Sequence, residues 1–146
     1  MLKLAKAAGD GLLALAHESP DGVYWTFSAT SSTHYPNFSH GTAGVGYFLA
    51  ELYEATHEEC YRASALAAGR YLRTVVSKTE SSNCLIFHDD AAGRDLFYLG
   101  WCHGPAGTGR FFYRLYQMTD DPAWLGLVKM QAATLMASGR KRKETG

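Results

Sequence analysis

The chain has 146 residues, and its 14 Lys+Arg balance its 14 Asp+Glu to a formal net charge of zero. With 47% of residues apolar and 19% charged it is one small globular domain or a piece of a larger one, which excludes a disordered, collagenous or disulfide-dense chain. Neutral charge gives no electrostatic footprint for nucleic acid, and no apolar run reaches the roughly 18 to 20 residues of a membrane span, so neither partner is expected.

The opening residues place Ala5, Ala8, Leu12, Leu15 and Ala16 on one helical face and read as the outer helix of a preceding unit. Gly9-Asp10-Gly11 stands where a signal peptide would carry its apolar stretch, so the expected compartment is the cytoplasm. Residues 19–39, rich in Gly, Ser, Asn and aromatics, form a long connection in which Val23-Tyr24-Trp25-Thr26-Phe27 suits a short strand. A helix follows, with Val45, Phe48, Leu49, Leu52 and Tyr53 at i, i+3, i+4, i+7 and i+8. Thr56 with Glu59 predicts a capping box, and Tyr61, Ala65, Ala68, Leu72, Val75 and Val76 supply the buried side of a second helix. After a second long connection, residues 77–100, with Leu85-Ile86-Phe87 as a candidate strand, the pattern returns. Thr108, Phe111, Phe112, Leu115 and Tyr116 repeat the helical spacing. Asp121 before Pro122 marks an N-cap and first-turn proline, and Trp124, Leu127, Val128 and Leu135 form the last apolar stripe. The basic cluster Arg140-Lys141-Arg142-Lys143 reads as a solvated, frayed tail.

That return is an internal repeat. SHGTAGVGYFLAELYEATHEECY lies ungapped on CHGPAGTGRFFYRLYQMTDDPAW at an offset of 63, with nine identities including His40/His103, Gly41/Gly104, Gly44/Gly107, Gly46/Gly109 and Thr56/Thr119. The expected fold is all-α, built of α/α-hairpin repeats at about 36–77 and 99–139 with a tail at 140–146.

His-Gly-x-Ala-Gly-x-Gly costs helix propensity, about 1 kcal/mol per glycine against alanine, so something must require it. Glycines permit positive φ and close backbone approach, letting the chain turn sharply into the helix while His40, or Cys102-His103, is held at the helix N-terminus. Open N–H groups and the positive dipole end favour anions there and lower a nearby thiol pKa. A phosphate loop is disfavoured because neither GxxxxGK[ST] nor GxGxxG is present. The bland alternative is that the glycines only let neighbouring helices pack closely. Against it, Phe38-Ser39-His40 in the first copy faces Trp101-Cys102-His103 in the second, a thiol in place of a hydroxyl.

The box Gly100-Trp101-Cys102-His103-Gly104-Pro105-Ala106-Gly107, with FSHGTAGVGYFLAELYEAT before it and RFFYRLYQMTDDPAW after, resembles the lanthionine synthetase C-like (LanC-like) proteins, over roughly residues 36–139. The resemblance implies an (α/α) toroid whose Gly-rich turns line the active site. It also implies a zinc that activates a peptide cysteine thiolate for addition to a dehydroamino acid, closing a (methyl)lanthionine thioether. Carried over, Cys102 is a zinc ligand, His40 the catalytic acid/base, and His103 and Trp101 stand at the substrate, a cysteine-containing peptide. Gly41, Gly44, Gly46, Gly104, Gly107 and Gly109 form the structural turns. The family's remaining ligands lie about one period further on, near position 165, so the expectation is a partial family member. It would carry about two hairpins and an incomplete zinc site, and be inactive alone. A complementing chain or self-association through exposed repeat edges, at the flanks of the helices of Phe48, Phe111 and Phe112, is expected with it.

Cys60 and Cys84, without a C-x-x-C, read as incidental, and His17, His34, His57 and His88 as solvent-facing. Cys102, His103, His88 and Asp89 are a weaker metal set. Two further readings stay open: a non-catalytic α/α repeat module that docks a peptide, and a glycan-active (α/α) toroid using Asp89, Asp90 and Asp95 with sugar-stacking rings at Trp25, Phe97, Tyr98 and Trp101.

Overall fold

The structure is a computed structural model that describes residues 1–78, 84–86 and 98–140. Five helices and two small hairpins follow in the order α1 (Leu2–Ala14), β1 (His17–Ser19), β2 (Gly22–Tyr24), α2 (Thr42–Thr56), α3 (Glu59–Thr74), β3 (Val76–Lys78), β4 (Cys84–Ile86), α4 (Pro105–Thr119) and α5 (Pro122–Arg140). Each β pair is antiparallel, His17 opposite Tyr24 in the first and Val76 opposite Ile86 in the second. The expected strand at Val23 stops at Tyr24, with Thr26 bridging to His34 beyond it, and the strand expected at Leu85-Ile86-Phe87 begins at Cys84, with Phe87 outside the described residues.

The two halves of the repeat are two helical hairpins, α2–α3 and α4–α5, packed side by side through α2 and α4. They turn alike. His57 and Asp120, equivalent at the offset of 63, both adopt left-handed backbone, with φ of 57° and 56°, and their N–H groups donate to the carbonyls of Tyr53 and Tyr116. The hydroxyls of Thr56 and Thr119 each donate back to the carbonyl four residues earlier, at 2.7 Å, and accept the N–H of Glu58 and Asp121. The capping box expected from Thr56 and Glu59 therefore does not form: Thr56 still belongs to α2, and the residue that caps α3 is Glu58. The Asp121 cap does form, its Oδ1 accepting the Ala123 N–H at 2.9 Å.

The core lies between the hairpins. Leu49, Leu52, Tyr61, Ala65, Ala68, Leu72, Phe111, Phe112, Leu115 and Trp124 are buried, with Phe112 stacked on Trp124. Phe111 and Phe112 are fully covered, and exposed apolar surface on α4 and α5 is instead Tyr113 and Met136. Gly46 lets α2 approach the Phe111 ring, and Gly109 lets α4 approach Gln131. At these two positions the glycines do serve close helix packing. Arg114 ties α4 to α2 through Glu51 at 2.7 Å and Glu54 at 3.1 Å.

Helix α1 packs on α2 and α3, with Ala5, Leu12, Leu13 and, just past its end, Ala16 against the core, whereas Ala8 and Leu15 face solvent. The expected face is rotated because Gly9 is the contact point, pressed against Leu52 and the Tyr61 ring. The Tyr61 hydroxyl donates to Asp10 at 2.6 Å, and Lys6 pairs with Glu58. Among the described residues no helix is long and apolar enough to cross a membrane.

Candidate functional site

The site forms where α2 and α4 begin. The Thr42 N–H donates to the Tyr35 carbonyl at 2.9 Å and the Ala43 N–H to that of Pro36 at 3.3 Å, wrapping residues 35–41 tightly onto the first turn of α2. A side chain at Gly41 would strike the Tyr35 carbonyl, and one at Gly44 the carbonyl of Phe38. The second copy repeats both contacts at the same offset, Gly104 on Tyr98 and Gly107 on Trp101. The two N-caps, Gly41 and Gly104, have φ of −142° and −121°, ordinary extended backbone. The expected positive φ is thus not what requires glycine here; the close carbonyl approach is. The expected open anion cradle at α2 is also corrected, because Thr42, Ala43 and Gly44 spend their N–H groups on the carbonyls of Tyr35, Pro36 and Gly41.

The loop carries His40 on its surface. Its backbone N–H donates to Oδ1 of the fully buried Asn37 at 2.9 Å. The loop is stitched to the second repeat by the Cys102 carbonyl, which accepts the N–H of Phe38 at 3.2 Å and of Ser39 at 3.0 Å. This brings the two equivalent histidines together, the His40 and His103 rings lying 5.5 Å apart. The Cys102 side chain is exposed and its thiol free of any disulfide, while His103 is half-buried with Tyr98 5.7 Å away. Trp101 packs on Phe38 at 4.9 Å and, with His40, Tyr47 and Arg110, lines a cavity of about 450 Å³. Arg110 donates to the Tyr47 hydroxyl at 3.0 Å, its guanidinium 5.0 Å from the ring centroid. His40 also lines a second cavity of about 480 Å³, with Leu12, Trp25 and Phe27 among others. Among the described residues no carboxylate lines either cavity.

His40, Trp101, Cys102 and His103, singled out in sequence, thus share one place, and four of the six glycines, Gly41, Gly44, Gly104 and Gly107, hold or border it. His17, His34 and His57 lie elsewhere: His17 and His34 sit against Tyr24, and His57 ends α2. His88, Asp89, Asp90, Asp95 and Phe97 lie outside the described residues, as does the tail beyond Arg140. Sequence reasoning missed Asn37, Phe27, Tyr47 and Arg110. For Asn37 there was a signal, an Asn after Pro just ahead of a turn, where its side chain often replaces a backbone acceptor.

Thiol and imidazole are the donor types that zinc takes. Cys102 offers an exposed thiol, and the same turns carry the imidazoles of His40 and His103, so the residues fit the ion in kind. Among the described residues no three His, Cys, Asp or Glu side chains converge as a cation site.

The family model described as lanthionine synthetase C-like protein matches residues 3–146. No curated protein matches the chain significantly. Among solved structures it is similar to a family 76 glycoside hydrolase from a bovine Bacteroides thetaiotaomicron strain, with a TM-score of 0.65 and 20% identity over 92% of this chain and 29% of that one. It is also similar to a GH76 α-mannanase of Bacteroides thetaiotaomicron, with a TM-score of 0.66 and 21% identity over 91% of this chain and 37% of the other. The chain thus spans about a third of each, and its hairpins fold as part of an (α/α) toroid.

Proposed function

The chain belongs to the lanthionine synthetase C-like family, and from that premise we propose that it carries part of the active site of a zinc-dependent cyclase. The reaction adds a cysteine thiolate of a peptide to a dehydroamino acid of the same peptide, forming a (methyl)lanthionine thioether. The observation that carries the reading is the convergence of the two glycine turns, with His40 and His103 at 5.5 Å and Cys102 bonded through its carbonyl to the loop that bears His40.

In this reading Cys102 is one ligand of the ion, and further ligands come from residues other than those described. The chemistry such an ion supplies is a lowered pKa for a coordinated thiol, so that a thiolate is available near neutral pH. The protein's own part is positional. Trp101 and His103 border the place where the peptide lies. When the thiolate attacks the β-carbon of the dehydroamino acid, an enolate develops and its α-carbon must take a proton; His40, exposed and held by its backbone, delivers it. A cytoplasmic location, where thiols stay reduced, suits free cysteines at 60 and 102.

Elemental analysis after dialysis against zinc tests the assignment. Cys102→Ala takes up less zinc than the wild-type chain and Cys60→Ala at the same free zinc concentration; equal uptake by Cys102→Ala removes the ligand role and favours a non-catalytic peptide-docking repeat. A second reading, glycan cleavage, draws on the likeness to glycoside hydrolases and on the exposed rings of Phe27, Tyr98 and Trp101. Its carboxylates would come from Asp89, Asp90 or Asp95, and release of reducing sugar from an α-mannan, lost on replacing one of them by Asn, would favour it.

A further inference from the structure

Asn37 is an uncharged amide sealed from solvent beside the site, and its use there is uneven. Its Oδ1 accepts the His40 N–H at 2.9 Å, while its Nδ2 is buried with no hydrogen-bond partner among the described residues. Leaving a buried donor unsatisfied is costly, so an asparagine kept at such a place needs a compensating role. The second repeat does without it. Its equivalent position is Gly100, which has no side chain, and whose backbone carbonyl accepts the N–H of Gly104, the counterpart of Gly41 rather than of His40, at 2.9 Å. Only the first repeat therefore has a side chain at this position, and the residue it pins is the histidine.

Four other bonds fix the same loop from outside His40. Tyr35 and Pro36 carbonyls hold the start of α2, and the Cys102 carbonyl takes the N–H of Phe38 and of Ser39. None of them reaches His40 itself. Its ring is exposed, with Phe27 edge-on at 6.2 Å and His103 at 5.5 Å. Among the described residues the Asn37 bond is thus the tie on the backbone from which the imidazole projects, and it closes a chain running from Cys102 through residues 38 and 39 to His40.

We propose that Asn37 is the positioning residue of this site, holding the His40 backbone so that the imidazole stays in register with the Cys102-His103 turn. The inference takes its catalytic meaning from the cyclase reading, but the bond and its effect on His40 can be measured without activity. Hydrogen exchange of the 146-residue chain reads the His40 amide directly, and the histidine ring resonances report the imidazole. In the wild type the His40 amide is protected despite its exposed side chain. In Asn37→Ala it exchanges about fivefold to tenfold faster, as loss of one hydrogen bond implies, and the His40 ring resonances shift, while amides in the middle of α5 keep their rates. Asn37→Asp keeps the acceptor and restores both protection and ring resonances. An unprotected His40 amide in the wild type, an unchanged one in Asn37→Ala, or a folded Asn37→Asp that fails to restore protection would each overturn the proposal. Should Asn37→Ala not fold, Asn37→Asp and the wild type decide it. Loss of the cyclase reading by the zinc test leaves these measurements standing, so the two failures are distinguishable.

Discussion

Replacing Gly107 by alanine tests the account of the glycine turns at the point where they couple the two repeats. A Cβ there would strike the Trp101 carbonyl and would come within 2.7 Å of the Phe38 Cβ, 0.7 Å short of the 3.4 Å at which ordinary contact begins. The first obstruction is backbone and cannot rotate aside; the second belongs to the loop whose N–H groups reach the Cys102 carbonyl. Overpacking of this kind costs about 1 to 3 kcal/mol per site, occasionally more, and the helix-propensity gain from alanine is small at the third residue of α4. A net loss of about 2 to 3 kcal/mol follows, or roughly 6 to 12 °C in melting temperature for a chain of this size. Gly126→Ala in α5 is the control, because nothing lies within 4 Å of its Cβ position. It gains about 0.5 to 1 kcal/mol and melts roughly 2 to 4 °C higher. Thermal unfolding followed by far-ultraviolet circular dichroism compares the three proteins. If Gly107→Ala melts at or above the wild type while Gly126→Ala behaves as stated, close carbonyl approach is not what fixes glycine in these turns.

Asp121→Ala removes the acceptor of the Ala123 N–H and lowers stability by about 1 kcal/mol in urea titration. Arg114→Ala breaks the links from α4 to Glu51 and Glu54 for a loss of about 1 kcal/mol, and the deficit shrinks in high salt because both carboxylates are largely exposed. The hydrogen bond to Asp10, with burial second, raises the Tyr61 pKa above its usual 10. A raised folded-state pKa means stabilisation that is full below pH 10 and is lost as pH rises beyond it, so the wild type loses stability more steeply above pH 10 than Tyr61→Phe does in a pH series of melts.

Much of this architecture was legible because the repeat is local and its period survives in both copies. Leu49, Leu52, Phe111, Phe112 and Leu115 fall where the 3.6-residue spacing puts them. In the opening segment Ala5, Leu12 and Ala16 pack as the spacing puts them, but Ala8 and Leu15, apolar on a helical wheel, face solvent, whereas the structure buries Gly9, a residue whose lack of side chain makes room for Tyr61. Thr56 and Glu59 satisfy the letters of a capping box, but His57 turns into left-handed backbone and ends α2 first. At the site, the residue types of His40 and Cys102 could be picked out from composition and spacing. Their juxtaposition could not: it depends on the Cys102 carbonyl meeting residues more than sixty positions earlier, and on Asn37 being buried. Both are consequences of how the hairpins dock, which no local pattern encodes.

The two glycine turns deliver His40 and the Cys102-His103 pair to one site. Nuclear Overhauser spectroscopy on the chain with labelled histidine measures it directly. With the rings 5.5 Å apart, cross-peaks between the ring protons of His40 and His103 are expected, assigned by their loss in His40→Ala and in His103→Ala. Each ring showing contacts only within its own repeat, in a protein that melts cooperatively, would contradict it.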